Sequence, residues 1–160
     1  MRGSPGVSDM SDYQPRDPGF AARVRASFER QHLMHTLGAQ LTRVAAGECE
    51  IEMPFNLDFA QQHGFLHAGT LTAVVDSACG YAALSLMAPG AAVMSVEFKV
   101  NLLAPAAGER LVARARVVRS GRTLTIVAGD GFMCNGARER HVFTMLATMM
   151  AVAGREGIAD

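Results

Sequence analysis

The sequence predicts an α+β fold in which an antiparallel sheet of five to six strands wraps around one long apolar helix. Residues 68–88 form an apolar stretch with a single charge, and several other segments alternate apolar and polar residues with a period of two. A helix that is apolar on nearly every side must be buried on every side, and one sheet can bury only part of it. The sequence therefore also predicts a homodimer or a larger assembly such as a homotetramer.

The first predicted element is an amphipathic helix. Asp17 followed by Pro18 is typical of a helix start, with Asp as the N-cap and Pro in the first turn. Apolar residues then recur every four positions, so the helix is expected to reach about His35, and Gly38 to end it. Residues 1–17 are rich in Pro, Gly and Ser and begin like an expression tag, and we expect them to be disordered.

The predicted strands lie at about residues 39–46, 49–55, 94–102, 110–117, 124–128 and 141–152, with tight turns at Ser120-Gly121 and Asn135-Gly136. A loop over residues 56–66 leads into the apolar helix. In the strand over 94–102, strict alternation predicts one buried face and one wet face. The buried face would hold Met94, Val96, Phe98, Val100 and Leu102, and the wet face Ser95, Glu97, Lys99 and Asn101.

Composition limits the class of protein. The chain has 160 residues and is 49% hydrophobic, so residues 18–155 are expected to form a single domain. Fifteen basic and fifteen acidic side chains balance, which argues against a nucleic-acid partner or a membrane surface. No signal segment is apparent, and Cys49, Cys79 and Cys134 form no metal or redox motif. We therefore expect a cytoplasmic protein with free thiols and no metal.

One charged residue interrupts the apolar helix. Between Asp58 and Glu97 the only formally charged side chain is Asp76, within Leu-Thr-Ala-Val-Val-Asp-Ser-Ala-Cys-Gly. A carboxylate buried in such surroundings is costly unless it is paired or protonated. The helix alone leaves two interpretations open: a structural Asp bonded to neighbouring hydroxyl or backbone groups, or a catalytic carboxylate.

The loop before the helix favours catalysis. Residues 61–69 hold two glutamines, two histidines and two glycines. A helix N-terminus presents free N–H groups and a positive dipole end, so the N–H groups of Ala68 and Gly69 are candidates to polarise a carbonyl. Asp76 lies about 12 Å further along the helix by its rise per residue. It more naturally serves a carbonyl at another subunit's helix start, and the predicted site straddles a subunit interface.

These residues resemble a known family. The run His67-Ala68-Gly69, with Asp76 nine positions after the histidine and Gln61 six before it, resembles hotdog-fold acyl-CoA thioesterases of the phenylacetate-degradation (PaaI-like) type. Further matching segments are Ser95-Val96-Glu97, Asn101-Leu102-Leu103-Ala104-Pro105, Gly108-Glu109 and Arg119-Ser120-Gly121-Arg122-Thr123. The resemblance covers about residues 39–152. It implies a hotdog fold, a dimer or dimer-of-dimers tetramer, and an acyl-CoA thioester hydrolase without a cofactor, since coenzyme A is part of the substrate.

The resemblance also implies a role for each matching residue. Asp76 matches an acidic residue that acts as general base on water or as nucleophile on the thioester carbon. Gln61 matches a polar residue beside the thioester carbonyl and the water, and His67 opens the helix at the oxyanion site. Ala68 stands where the family usually has glycine; it keeps the N–H donor, and only a required positive φ would exclude it. Ser95 matches a position that faces the site, where its hydroxyl can orient water.

The segment Arg119-Ser120-Gly121-Arg122 is the predicted coenzyme A site. In similar proteins the pantetheine arm runs through a narrow channel, and the nucleotide phosphates stay near the surface beside such a hairpin. The planar fork of Arg donates two hydrogen bonds to phosphate at once. The alternative is that these arginines, like Arg110, Arg114 and Arg116, only solvate the outer face of their strands.

Other interpretations stay open at this point. Hotdog-fold hydratases and dehydratases pair a histidine with an acid, as His67 and Asp76 would, although their Pro-rich motif after the histidine is absent. A non-catalytic acyl-CoA-binding module is a third interpretation. Cys79 has no base placed for it and is expected to be a buried thiol. Aryl-acetyl, short-chain, medium-chain and hydroxylated aromatic acyl groups all remain open as substrates.

Overall fold

The computed structural model describes residues 13–154 and 157–158. The helices are α1 (Phe20–Glu29), α2 (His32–Leu37) and α3 (Ala68–Leu84), with a 3₁₀ turn at Leu57–Phe59. The strands are β1 (Gln40–Ala45), β2 (Glu48–Pro54), β3 (Ala92–Leu102), β4 (Arg110–Ser120), β5 (Leu124–Asn135) and β6 (Arg138–Val152). They form one antiparallel sheet in the order β1-β2-β4-β5-β6-β3, which confirms the predicted α+β hotdog fold.

The central helix α3 packs against β2, β3, β4, β5 and β6. Gly129 on β5 permits the close approach, because a Cβ there would lie 2.6 Å from Cys79 Sγ and 2.7 Å from Val75 Cγ1. The sheet-facing residues of α3, including Leu71 and Val74, are buried in one continuous core. Within the described ranges no helix has the length and apolar character needed to cross a membrane.

The N-terminal helical region differs from the prediction. Instead of one helix there are two, because the chain is extended at Gln31 (φ −85°, ψ 92°) between α1 and α2. Asp17 is not the N-cap: its carboxylate accepts the Gly19 N–H at 2.8 Å and turns the chain before the helix begins at Phe20. Gly38 ends α2 with a φ of 67°, as predicted.

Arg23 fastens α1 to the end of α3. Its guanidinium donates to Leu84 O at 3.3 Å and to Met87 O at 2.8 Å, and it forms an ion pair with Asp17 at 2.9 Å. Carbonyl groups at a helix C-terminus lack intrahelical donors and carry the negative end of the dipole, so a cation there stabilises both. These contacts hold α1 against α3.

The segment predicted to be disordered, residues 1–17, is described only in its last five residues. Residues 1–12 lie outside the described residues. Tyr13 does not follow the prediction, since its hydroxyl donates to Val118 O at 3.0 Å, and Asp17 is held by Arg23. Tyr13 and Asp17 are therefore fixed to the fold although they precede the first helix.

Both predicted hairpin turns are present. Between β4 and β5, the Gly121 N–H donates to Leu124 O at 2.9 Å, and a Cβ on this glycine would lie 2.6 Å from the same oxygen. Between β5 and β6, Gly136 takes a φ of 54°. The second turn is tight, so β6 begins at Arg138, earlier than predicted.

Strand β3 is an edge of the sheet, paired with β6 alone. The described residues leave much of its predicted buried face uncovered: Val96 is 53% exposed, Phe98 43% and Leu102 58%. The exposed apolar surface continues past the strand, where Leu103 is 50% exposed. Edge strands with exposed apolar side chains are in general open to pairing with another chain.

A bulge in β3 corrects the predicted faces at the start of this strand, whereas the alternation after the bulge is as predicted. Ser95 and Glu97 pair with consecutive residues of β6, so Val96 is an extra residue without its own partner. The extra residue shifts the alternation by one position. Ser95 therefore shares the helix-facing side with Phe98, and Met94 lies on the opposite side. Strict alternation failed here because a period of two does not survive an inserted residue.

Candidate active site

Asp76 lies in the middle of α3, where the helix passes the bulge of β3. Its Oδ1 accepts a hydrogen bond from Ser95 Oγ at 2.7 Å. Burial raises the pKa of Asp76 above the ordinary Asp value, and the Ser95 hydrogen bond acts in the opposite direction. Among the described residues, Ser95 provides the only side-chain hydrogen bond to this carboxylate. The other carboxylate oxygen keeps its acceptor capacity for a reactant.

A cavity of about 190 Å³ opens beside Asp76 between α1, α3 and β3. Apart from Val93, the residues that line it are polar or small: Ser27, Gln31, Asp76, Ser77, Gly80, Tyr81 and Ser95. The phenol of Tyr81 packs edge-on against Phe28, with 5.7 Å between ring centroids, and donates to Gln31 Oε1 at 3.4 Å. The side chains from α1 and the α1–α2 junction were not predicted, because no motif joins them to the helix far along the chain.

The helix start is capped by a histidine. His67 Nδ1 accepts the Gly69 N–H at 2.8 Å, so the His67 side chain is the N-cap of α3. A Cβ on Gly69 would lie 3.1 Å from that Nδ1, which explains the glycine. The Gly69 N–H, predicted as an oxyanion donor, is therefore already bonded inside the chain.

Of the two N–H groups predicted as oxyanion donors, that of Ala68 remains available. Its N–H has no hydrogen-bond partner among the described residues, and no non-glycine residue described has a positive φ. Gln61 lies beside it: the Gln61 Oε1 accepts the His63 N–H, which leaves the two amide hydrogens of Gln61 as donors. Two donor groups thus face one cavity at the start of α3.

In one chain the two parts of the predicted site lie in separate cavities. Asp76 and Ser95 line the cavity of about 190 Å³, whereas Gln61 and Ala68 line a second, more apolar cavity of about 450 Å³. The helical rise separates Ala68 from Asp76 by about 12 Å. His67 bonds to its own helix start and not to Asp76, so these two residues do not form a histidine–acid pair within one chain.

The arginines fall into two groups. Arg110 pairs with Glu52 at 3.1 Å, and Arg114 pairs with Glu50 at 2.7 Å and Glu139 at 2.6 Å. These cross-strand ion pairs on the outer face of the sheet fit the alternative that such arginines are structural. In contrast, the arginines at 119 and 122 are exposed and form no ion pair with any described residue.

The hairpin that carries Arg119 and Arg122 lies at the same end of the sheet as Ser95, which donates the hydrogen bond to Asp76. Ser120, Thr125, Met149 and Ser95 are cross-strand neighbours in a single row across four strands. With neighbouring strands about 4.8 Å apart, the hairpin lies about 14 Å from Ser95 at the same end of the sheet.

Cys79 is the remaining candidate on α3. Its side chain is fully buried, as predicted, and lies against β5 where Gly129 leaves room for it. Burial raises the pKa of the thiol, with the Asp76 carboxylate adding to the effect. A thiol held protonated in this way is not a nucleophile at neutral pH.

Comparisons with known proteins agree with the fold. The family model of the thioesterase superfamily matches residues 63–133. The fold is similar to a thioesterase family protein from Silicibacter pomeroyi, at 52% identity over 85% of this chain and all of that chain, with a TM-score of 0.83. It is also similar to a phenylacetic acid degradation-related protein from Ralstonia eutropha, at 26% identity over 82% of this chain and 98% of that chain, with a TM-score of 0.71.

A curated relative is more distant. A protein named as an esterase from Saccharolobus solfataricus is 28% identical over 91 residues, which are 57% of this chain and 64% of that protein. The alignment therefore spans less than two thirds of that relative. The Silicibacter pomeroyi protein is 52% identical, is matched over its entire length and has the same fold, and it therefore shows the family of this chain. This chain belongs to the thioesterase superfamily and has the hotdog fold of its PaaI-like members.

Proposed function

We propose that this protein is an acyl-CoA thioesterase that hydrolyses a thioester to a free carboxylic acid and coenzyme A. The observation that carries the proposal is the half-buried carboxylate of Asp76, bonded to Ser95 Oγ at 2.7 Å and open to a cavity on its other side. A carboxylate with a raised pKa, a nearby hydroxyl and a separate oxyanion donor are the parts that hydrolysis of an acyl group requires.

The proposed chemistry is a displacement at the thioester carbon. Asp76 either removes a proton from water, whose oxygen attacks the carbonyl carbon, or attacks that carbon itself. The carbonyl oxygen takes the negative charge and is stabilised by the Ala68 N–H and the Gln61 amide. The carbon–sulfur bond then breaks and coenzyme A leaves as its thiol, taking up the proton that Asp76 removed from water. Where Asp76 attacks directly, the bond break leaves an acyl anhydride on Asp76, and water then hydrolyses that anhydride to the free acid and supplies the proton for the thiol. Ser95 holds the carboxylate and orients the water.

We propose that each site combines two subunits. The Asp76 cavity and the Ala68 cavity are separate in one chain, and a thioester cannot contact both across about 12 Å of helix. The exposed apolar face of β3 supports this assembly, since a second copy at this edge would cover Phe98 and Leu102. The assembly is a homodimer or a tetramer built from two dimers.

The coenzyme A portion is proposed to reach the β4–β5 hairpin, where Arg119 and Arg122 would bind its phosphates. The apolar cavity at the helix start, lined by Leu71 and Leu102, suits the pantetheine arm. No further cofactor is proposed. The three buried free thiols fit the reducing conditions of the cytoplasm, where we place the enzyme.

The activity test is thiol release from acyl-CoA thioesters by the wild type, Asp76→Asn and Asp130→Asn. Asp130 is a matched control, because it is also an Asp, bonds to His141 on the outer sheet face and lines neither of the two cavities of the proposed site. We expect Asp76→Asn to lose about 10²-fold to 10⁴-fold in kcat and the control to keep its rate. Equal rates for Asp76→Asn and the wild type would refute the proposal. Binding of acyl-CoA without turnover would instead favour a non-catalytic acyl-CoA-binding module. Addition of water to an enoyl-CoA would favour a hydratase.

The interface is tested by mixing two inactive variants. A dimer of one Asp76→Asn chain and one Gln61→Ala chain contains one intact site if each site draws on both chains. Random exchange of subunits should therefore restore about a quarter of the wild-type activity. If the mixture stays as inactive as its parents while the chains demonstrably exchange, the site lies within one chain.

A further inference from the structure

The cavity beside Asp76 is too small for a whole acyl-CoA. Its volume of about 190 Å³ compares with about 150 Å³ for a protein cavity that holds benzene. One ring or a short chain fits, whereas the pantetheine arm and the nucleotide must lie elsewhere. A thioester whose carbon meets Asp76 would therefore have its acyl group on this side.

Gly80 lies one helical turn after Asp76 on the same face of α3. Glycine inside a helix is destabilising relative to alanine, so it calls for a reason. Packing among the described residues provides none, because there a Cβ at Gly80 would contact only Val93 Cγ1, at an ordinary 3.8 Å. Gly80 does line the cavity, and any side chain there would take up part of its volume.

The α1–α2 junction contributes a polar wall to the cavity, and contacts within the chain fix this wall. Gln31 presents its amide there, and its Oε1 accepts the Tyr81 hydroxyl, while the Tyr81 ring packs against Phe28. The two amide hydrogens of Gln31 have no partner among the described residues. A wholly apolar acyl group would strip water from this amide without replacing its hydrogen bonds, which is unfavourable.

Resting on the proposed thioesterase activity, we infer that this cavity is the acyl pocket, that Gly80 sets its depth, and that Gln31 binds a hydroxyl or carbonyl at the far end of a short acyl group. Both residues are specificity determinants. Gln31 lies outside residues 63–133, the segment that the superfamily model matches.

The test compares kcat/KM for two matched pairs, 4-hydroxybenzoyl-CoA with benzoyl-CoA and 4-hydroxybutyryl-CoA with butyryl-CoA, with acetyl-CoA as the small reference. We expect the wild type to favour the hydroxylated member of at least one pair by roughly 10-fold or more. Gln31→Leu should bring that ratio to about 1. Gln40→Leu, at an exposed position on β1, is the control and should keep the wild-type ratio.

Gly80→Val tests the depth of the pocket. It should lower kcat/KM for the ring substrates by roughly 100-fold relative to acetyl-CoA, with the folded state checked by circular dichroism. Gly80→Ala should lower kcat/KM for the ring substrates by a smaller factor. It provides the test of pocket depth if Gly80→Val does not fold.

The inference is overturned if the wild type shows no preference for hydroxylated acyl groups, if Gln31→Leu keeps the preference, or if folded Gly80 variants treat all acyl groups alike. The proposed function fails differently: then no thioester, acetyl-CoA included, releases thiol, or Asp76→Asn is fully active. The two failures are therefore distinguishable in one set of assays.

Discussion

Ser95 Oγ donates a hydrogen bond to Asp76 Oδ1 at 2.7 Å, across the bulge that turns this serine towards the helix. The bond favours the ionised carboxylate and so lowers the pKa of Asp76 against the raising effect of burial. A bulge that re-aims one side chain next to a catalytic group is a recurrent use of this irregularity.

The first prediction concerns the pH dependence of catalysis. Asp76 must be ionised to act, so activity should rise with pH through a pKa above the ordinary Asp value. Ser95→Ala removes the contact that lowers this pKa, so the acid limb of kcat/KM should move to higher pH. Ser95→Thr, which keeps the hydroxyl, should restore the wild-type limb. A pH profile that is the same in all three proteins would contradict the role given to Ser95.

The second prediction concerns stability. The folded pKa of Asp76 is raised, so the folded state holds the proton more tightly than the unfolded state, and stability falls as pH rises through that folded pKa. Asp76→Asn carries no charge, so it should be at least as stable as the wild type at pH 7. Its advantage should shrink as the pH falls from the raised folded pKa towards the ordinary Asp value, because below that value both states hold the proton. Urea unfolding at several pH values measures this, and a constant difference would count against it.

The third prediction concerns the helix cap. His67→Ala should cost about 0.5 to 2 kcal/mol of unfolding free energy, because the Gly69 N–H loses its acceptor. His67→Asn keeps an acceptor at the N-cap and should be close to wild type. Denaturant unfolding checks both variants, and equal losses would show that the ring matters for packing instead of capping.

The fourth prediction contrasts two glycines. Gly129→Ala places a Cβ 2.6 Å from Cys79 Sγ and should destabilise the protein by about 1 to 3 kcal/mol. Gly80→Ala meets nothing closer than 3.8 Å and should stabilise the helix by about 0.5 to 1 kcal/mol. Both are read from thermal or urea unfolding. A loss of stability in Gly80→Ala would indicate that a partner subunit packs there.

The fifth prediction concerns Arg119 and Arg122. Replacing both by Gln should raise KM for acyl-CoA by roughly 10-fold and leave kcat near its wild-type value, because phosphates would lose charged donors far from the reacting carbon. Thioesters of N-acetylcysteamine lack the nucleotide, so their kcat/KM should not change. Arg43→Gln, whose side chain is paired with Glu48, is the matched control. If kcat/KM fell equally for both kinds of thioester, the two arginines would not act through the phosphates of the nucleotide.

The strands and the central helix were predictable because their patterns are local. Alternation with a period of two and a long apolar stretch follow from which side chains must leave water, and the turns at Gly121 and Gly136 follow from backbone geometry. The lone charge in that stretch singled out Asp76 without any knowledge of the fold.

Other features depended on contacts between distant segments. The alternation did not predict the bulge at Val96, which sets the side that Ser95 faces. Nor did it predict the break at Gln31, which brings an amide from the N-terminal helices to the cavity of Asp76.

The sequence by itself therefore determined the class of fold, the central helix and the identity of the carboxylate. Only the tertiary structure decided which groups surround that carboxylate, which helix-start N–H remains available, and that one chain holds the two parts of the site in separate cavities. The physical reason is the separation along the chain of the residues that interact. Burial patterns and turns are properties of neighbouring residues, whereas a cavity is a property of segments that meet only after the chain has packed.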